Sequence, residues 1–387
     1  MLTFSSTGIP AIIGYTLGGV AVIYQIVALS VIALWRYRKP ARPAIPRPVS
    51  ILKPLCGEEP YLYENLRSFC LQKYPCYQIV FGVREPDDPA LAVVEHLRRE
   101  FPNVNMTVVI GSVAIGSNLK VCNLLNMLPS AKHDWLVLAD SDIVVDPDYL
   151  ENLVAPLGNT DIGIVTCLYA GIPINGIWSQ LGALFINDWF FPSVLVARAF
   201  GFRTFAFGAT IALRRETLIA IGGFEATLNS LADDYRLGEL TRGCGLRTEL
   251  SGYIVRTTVP DQDLCALWNR EIRWSRTIRN LRPIGYIFSL ITHSLLITAF
   301  GVLLTGGSLL SLLLLTASLL LRLMQHFMVE RTSNTTNPLS WRLIPLRDTL
   351  TFIEWCASFG RHVVRWREQR LSLRAEGSAE IRSGDSP

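Results

Sequence analysis

The sequence predicts an α/β fold with a doubly wound, mostly parallel sheet, set between membrane segments. Three observations carry that reading. Short apolar runs alternate with amphipathic ones from Val49 to Ala139, the order that builds a parallel sheet with helices on both faces. Residues Met1 to Trp35 hold no charged side chain, and further apolar runs begin at Ile284 and Leu309. Of the 387 residues 50% are hydrophobic and 18% charged, and mean hydropathy is +0.32. That is too apolar for a soluble enzyme and too charged for a chain lying wholly in lipid.

Ile9 to Trp35 exceeds the ~20 residues needed to span a bilayer. It lacks a basic start and a small-residue cleavage site, so 1–35 is expected to be a transmembrane anchor. Arg36, Arg38, Lys39, Arg42 and Arg47 follow, which places this end in the cytoplasm. Prolines recur through 36–48, an extended basic linker. Strands are then expected at Val49–Leu55, Tyr77–Val83, Asn105–Ile110 and Trp135–Ala139. Helices are expected between them at Tyr61–Gln72, Pro89–Glu100 and Leu119–Leu128. Ile162–Tyr169 and Phe205–Leu213 read as further strands, the second interrupted by Gly208, where a ligand or backbone can approach closely. Trp178–Phe200 fits either a core helix or one lying in the membrane interface. The whole domain is expected over 49–282.

Ile284–Leu304 and Leu309–Leu321 are expected to form a transmembrane hairpin within 283–330. Arg279 and Arg282 precede it, and Arg322 and Arg331 follow, so both ends return to the cytoplasm. Trp341–Gly360 contains Arg347 and Asp348 and is too short in apolar residues to span. Residues 331–375 are therefore expected to be an interfacial or re-entrant helix region. The tail 376–387, rich in Ser, Gly and charge, is expected to be disordered.

In a doubly wound sheet, ligands gather at the carboxyl ends of the strands. Three polar loops meet there: Lys53-Pro54 after the first strand, Arg84–Asp88 after the second, and Asp140-Ser-Asp142 after the fourth. Asp140 and Asp142 are two residues apart, so a straight strand aims them the same way. Paired carboxylates repel and resist desolvation unless a hard divalent cation bearing phosphate oxygens sits between them. Alone, the pair also fits a strand ending in a solvated acidic turn; the companion loops favour a site. Ala232-Asp-Asp-Tyr235 opens a helix, where acids also serve as caps and dipole partners. Arg270 and Arg273 share a helical face beside Trp274, a set able to grip a pyrophosphate or to meet lipid head groups.

The net charge of +4, with Arg clustered beside apolar segments, suits a membrane surface and not nucleic acid. Eight cysteines form no Cys-x-x-Cys pair and five histidines are dispersed. No Cys/His cluster has zinc-ligand spacing, so any metal would rest on carboxylates, and the cysteines read as reduced core residues of a domain facing the cytosol.

Ser50-Ile-Leu-Lys-Pro-Leu55, Gly82-Val-Arg-Glu-Pro-Asp-Asp-Pro89, Asp140-Ser-Asp142, Ala232-Asp-Asp-Tyr235 and Arg270-Glu-Ile-Arg-Trp274 occur in that order. Together they resemble the ceramide glucosyltransferase family, a membrane branch of the inverting GT-A glycosyltransferases, over Val49 to Asn280. The likeness is greatest to bacterial members, which include hopanoid glycosyltransferases. Eukaryotic members often lack the second acid that Asp142 supplies.

The resemblance implies a UDP-sugar donor, Mg2+ or Mn2+, and a membrane-lipid acceptor, either a hopanoid polyol or ceramide. It implies a multi-pass protein of the cell inner membrane with a cytoplasmic catalytic domain. Asp88 would contact the nucleotide, and Lys53 is placed with the donor-binding residues. Asp140 and Asp142 would hold the metal on the donor diphosphate. Asp234 would be the general base, and Arg270, Arg273 and Trp274 would hold the pyrophosphate. A processive polysaccharide synthase shares these motifs but needs more spanning helices for a channel. A haloacid-dehalogenase phosphatase would carry its Asp-x-Asp after the first strand, and a non-catalytic membrane scaffold would not keep every candidate acid.

Overall fold

A computed structural model of the chain describes residues 8–38, 45–111, 115–203, 206–337 and 339–360, with backbone alone for 363–366, 369–373 and 379–381. The chain divides into two units. One comprises Met1–Arg38, Ala170–Gly201 and Val259–Glu376, and the other Lys39–Tyr169, Phe202–Thr258 and Gly377–Pro387. Within the span 49–282, residues 170–201 and 259–282 group with the helical unit.

The first helix, α1 (Ile9–Arg36), belongs to the helical unit. The sheet unit follows as β1 (Val49–Pro54), α2 (Leu62–Cys70), β2 (Tyr77–Val83), α3 (Ala90–Glu100), β3 (Asn105–Ile110), α4 (Leu119–Met127) and β4 (Trp135–Ala139). These match the expected elements to within one or two residues. Strands β3, β2, β1 and β4 are parallel neighbours, with Ile51 opposite Ile79 on one side and Val137 on the other. Ile51, Ile79, Phe81 and Val137 pack in one core with Leu66 and Phe69 of α2 and Val94 and Leu97 of α3. Their neighbours Leu52, Val80, Leu136 and Leu138 pack in a second core with Val121, Leu124 and Met127 of α4. The two-residue period of the strands thus feeds both layers.

After β4 come β5 (Ile143–Val144), α5 (Tyr149–Val154), β6 (Ile162–Pro173), α6 (Gly176–Leu184), a π-helical stretch Phe185–Phe190 and α7 (Phe191–Ala199). Then follow β7 (Thr210–Arg214), α8 (Arg215–Ala220), α9 (Asp233–Gly243) and β8 (Arg247–Val259). The complete order is β3-β2-β1-β4-β7-β6-β8-β5. Strand β7 runs antiparallel to both β4 and β6, and β5 antiparallel to β8, so the sheet is mixed where a mostly parallel one was expected. The long β8 was not anticipated: its Arg, Thr, Glu, Ser and Gly residues dilute the strand signal. Of the strand expected at Phe205–Leu213, only the part from Thr210 forms, and residues 204 and 205 lie outside the described set.

In the helical unit, α1 buries Ala11, Gly14, Gly18, Ala21, Gln25, Ala28, Ile32 and Trp35. They are spaced alternately three and four apart, a seam of mostly small residues that lets helices approach closely. Next are α10 (Leu264–Leu281), α11 (Pro283–Phe288), α12 (Ser294–Leu304), α13 (Leu309–Ser333) and α14 (Ile344–Ser358). A Cβ added to Gly14 would sit 2.8 Å from the carbonyl oxygen of Gly301 on α12. Tyr15 donates to Ser308 at 2.8 Å, and Gln25 to the carbonyl of Ser318 on α13 at 3.1 Å.

Ile9–Arg36, Gly176–Ala199 and Leu309–Ser333 are long and apolar enough to cross a membrane. The expected continuous helix Ile284–Leu304 is instead broken at His293 and bent by 68°. Ser289, Thr292 and Ser294 turn their hydroxyls onto the carbonyls of Tyr286, Ser289 and Ile291, competing with helical pairing there. Within 331–375, α14 is the expected helix. After it, Val363–Trp366 (β9) and Gln369–Leu373 (β10) form an antiparallel pair, favoured by β-branched and aromatic residues. In the tail expected to be disordered, Ala379–Ile381 forms a short strand, β11. All eight cysteines are free, but only Cys70, Cys122 and Cys167 are buried. The other five are exposed, contrary to the expected core placement.

Crowding at Gly14 makes it the sensitive point of the α1 seam. Gly14→Val should lower the thermal unfolding midpoint in detergent by several degrees, an overpacking cost of about 1–3 kcal/mol. Gly19→Val should not, since nothing lies within 4 Å of a Cβ there.

Candidate active site

The acidic turn is held from beneath by a lysine. Lys53, fully buried on β1, donates to the backbone carbonyl of Asp140 at 2.5 Å and lies 3.8 Å from the centroid of the Phe69 ring. Burial lowers its pKa to about 7 against the pull of Asp140, Asp142 and Glu59. Lys53, expected among the donor-binding residues, has no exposed surface and supports the acidic turn.

Asp140 and Asp142 leave β4 together. Asp142 accepts from the Thr257 hydroxyl at 2.9 Å, and its carbonyl accepts from the Thr258 amide at 3.0 Å, so the end of β8 fixes it. Burial raises its carboxyl to about 7, with Asp140 and Glu59 adding to the shift. Ser141 donates to Glu59 at 2.5 Å. Negative charge is therefore concentrated at this turn.

Lys120 joins that turn to the acids of α9. Asn118 caps α4 by accepting from the Val121 amide, which sets Lys120 in the first turn of the helix. Its ammonium lies 2.6 Å from Oδ1 of Asp140 and 3.9 Å from Oδ2 of Asp233, with its pKa raised by both acids against the effect of burial. Asp234 stands beside it. Its Oδ2 accepts from the Gly208 amide and its Oδ1 from the Tyr235 amide, each at 2.7 Å. A Cβ at position 208 would sit 3.2 Å from Oδ2, so the close approach expected at Gly208 is made by Asp234. Burial and then Asp233 raise the Asp234 carboxyl to about 6, while Lys120 and the two amides hold it down. The result is a carboxylate ionised at neutral pH yet basic enough to accept a proton.

Asp88 is tied to its own loop. Its oxygens accept from the Gly57 amide at 3.0 and 3.1 Å and from the Ala90 amide at 2.9 Å. It links the loop after β1 to the start of α3, and Gly57 (φ +74°) needs the freedom of glycine to reach it.

Arg270, Arg273 and Trp274 lie on α10 of the helical unit. Arg270 meets Asp261 at 2.7 Å and Glu271 at 3.3 Å and lies 5.1 Å from the Trp274 ring centroid. Trp274 stacks on Phe185 at 5.9 Å, and Arg273 is half-buried. The sheet unit thus gathers Lys53, Asp140, Asp142 and Asp234, while the Arg-x-x-Arg-Trp motif is built separately. Sequence reasoning missed Lys120, Thr257, Asp261 and Glu271. Only the proximity of Lys120 to a helix cap offered any signal.

Among the described residues, no three His, Cys, Asp or Glu side chains gather in a metal-binding arrangement. Asp140 and Asp142 still fit a hard cation that completes its shell with phosphate and water oxygens. The raised carboxyl of Asp142 marks the charge such a cation would neutralise.

The profile of glycosyl transferase family 21 matches residues 15–379. The chain belongs to that family. It is 24% identical over 264 residues to ceramide glucosyltransferase 1 of Caenorhabditis elegans, covering 67% of this chain and 56% of that one. It is 31% identical over 152 residues to the ceramide glucosyltransferase of Candida albicans, covering 36% and 28%. The chain thus spans little more than half the length of the nematode relative. A mannosyltransferase from Pyrobaculum calidifontis, solved with GDP-mannose and Mn2+, superposes with TM-score 0.51 at 16% identity. That comparison covers 89% of this chain and 97% of the other, and with it the fold is GT-A.

Lys53 gives a pH signature of its own. Its folded pKa is about 7, below the ~10.4 of an unfolded lysine. The unfolded chain therefore binds the extra proton between these values, and stability rises with pH across that window. Lys53→Met should abolish this component, read as a smaller gain in unfolding midpoint between pH 7 and pH 9 than in the wild type.

Proposed function

We propose that this chain is a membrane-bound inverting glycosyltransferase that moves a sugar from a UDP-sugar to the hydroxyl of a membrane lipid. The sugar is glucose or N-acetylglucosamine, and the acceptor is ceramide or a hopanoid polyol. Asp234 carries the reading: it is a half-buried, amide-held carboxylate raised to about 6, beside a concentrated acidic turn. Membership of family 21 and likeness to ceramide glucosyltransferases support the reaction class. The helices long enough to cross a membrane support a lipid acceptor at the inner membrane, with the sheet unit cytoplasmic. Three such helices among the described residues, or four with the bent pair, favour lipid glycosylation over a processive synthase with a channel.

In this mechanism Asp234 takes the proton of the acceptor hydroxyl as its oxygen attacks the anomeric carbon. The carbon–oxygen bond to the diphosphate breaks, UDP leaves, and the configuration inverts. The Gly208 and Tyr235 amides keep Asp234 fixed and ionised until it receives that proton. Asp140 and Asp142 hold Mg2+ or Mn2+, which when bound supplies positive charge for the leaving diphosphate. Arg270, Arg273 and Trp274 bind the pyrophosphate, and Asp88 orders the loop that meets the nucleotide.

Purified full-length protein should turn over a UDP-sugar with one of these lipids in Mg2+ or Mn2+ and stop in chelator. Asp234→Asn should lose at least about a hundredfold in turnover while binding UDP normally; undiminished turnover would refute the base assignment. Asp234 is protonated below about pH 6, so the wild-type rate should fall with an acid limb near that pH. Asp140→Ala should weaken Mn2+ binding in the presence of UDP, read by Mn2+ electron paramagnetic resonance. Unchanged Mn2+ affinity would show that the cation binds elsewhere.

A further inference from the structure

We propose that Arg347 of α14 is the positioning residue for the Arg-x-x-Arg-Trp motif, fixing both Arg270 and Trp274 through separate contacts. The inference rests on the reading that this motif binds the donor pyrophosphate.

Arg347 is 1% exposed. Its Nη1 lies 2.9 Å from Oε2 of Glu271, and the other oxygen of Glu271 lies 3.3 Å from Nη2 of Arg270. Glu271, itself fully buried, is thus shared between the two arginines. The second route is aromatic. The Arg347 guanidinium lies 5.4 Å from the Phe185 ring centroid, and Phe185 stacks on Trp274. Three further contacts hold Arg347 in place: Nη2 to Glu354 at 2.9 Å, Nε to Thr351 at 2.9 Å and Nη1 to the Leu181 carbonyl at 3.3 Å. Only the planar, five-donor fork of arginine makes all of these at once.

Charge balance explains why the cluster is coupled. Asp261, Glu271 and Glu354 face Arg270 and Arg347, three carboxyls against two guanidiniums. Burial first of all pushes Glu354 up to about 9, so it holds a proton more readily than an exposed carboxyl. Removal of Arg347 leaves Glu271 drawing on Arg270 alone. The Arg270 guanidinium then turns inward, away from an anionic ligand. Space is fixed as well: a Cβ on Gly182 would collide with Arg270 and Asp261, so Arg270 has one seat on that side.

The test compares Arg347→Lys with the paired variant Arg347→Met/Glu354→Leu, which removes the guanidinium together with the carboxyl on its other side. Both should raise the KM for the UDP-sugar and the Kd for UDP about tenfold or more, in the range expected when a binding group is misplaced at a distance. The acceptor KM should stay near wild type, a split between donor and acceptor that a general loss of structure would not produce. Wild-type UDP affinity in the folded pair variant would overturn the proposal, provided Arg270→Ala weakens UDP binding. Wild-type affinity in Arg270→Ala would overturn the donor-binding role of the motif and this inference with it. Should the pair variant not fold, Arg347→Lys read in the same way decides the outcome.

Discussion

A buried ammonium under a backbone carbonyl sets the geometry of the sheet unit. Lys53 has no exposed surface and directs its charge at the carbonyl of Asp140. A lysine in that position would be costly alone. It persists because the acidic turn above it offers a full carbonyl and the field of several carboxylates, while Phe69 covers its other side. The turn in turn stays compact because its repulsion is offset from below by Lys53 and from the side by Lys120. The acids outweigh burial at Lys120, whereas at Lys53 they offset it only in part.

The second unit relies on the same compensation at lower polarity. Asp188, on the π-helical stretch, meets His326 at 3.0 Å and Arg322 at 3.3 Å, and Arg322 meets Asp348 at 2.7 Å. Asp348 and Arg347 are adjacent on α14, yet they serve different clusters. That short helix, which is not among those long enough to cross a membrane, is where the two charge networks of the helical unit meet.

Half of the sheet was legible in the sequence because β1 to β4 follow one rule: apolar runs of strand length separated by helices with a single apolar face. In the other half, β6 and β7 were read as strands but not as antiparallel ones, and β8 was missed because its polar residues pattern as loop. Asp140 and Asp142 stood out by type and spacing, and Asp234 only through the family resemblance. Lys120 did not stand out, since a lone lysine at a helix start is ordinary until Asp140, twenty residues away, and Asp233, more than a hundred away, are brought to it. Lys53 was noticed for its place at a strand end, while the neighbours in space that make it a support of the turn were not legible. The break at His293 was hidden because hydropathy counts apolar residues and does not register hydroxyls that bond back to the chain.

Arg322 also constrains how the protein is made. It sits near the middle of α13, a helix otherwise rich in leucine. A lone arginine at the centre of a membrane helix costs about 2.5–3.5 kcal/mol on insertion scales, and its partner Asp188 lies well over a hundred residues earlier in the chain. The segment carrying Asp188 is synthesised first and must wait, with its acid unpaired, for α13 to emerge. Neither helix is a self-sufficient passenger for the insertion machinery. The helical unit is therefore expected to enter the bilayer as a cooperative group, and synthesis halted before α13 would leave a segment poorly retained in lipid.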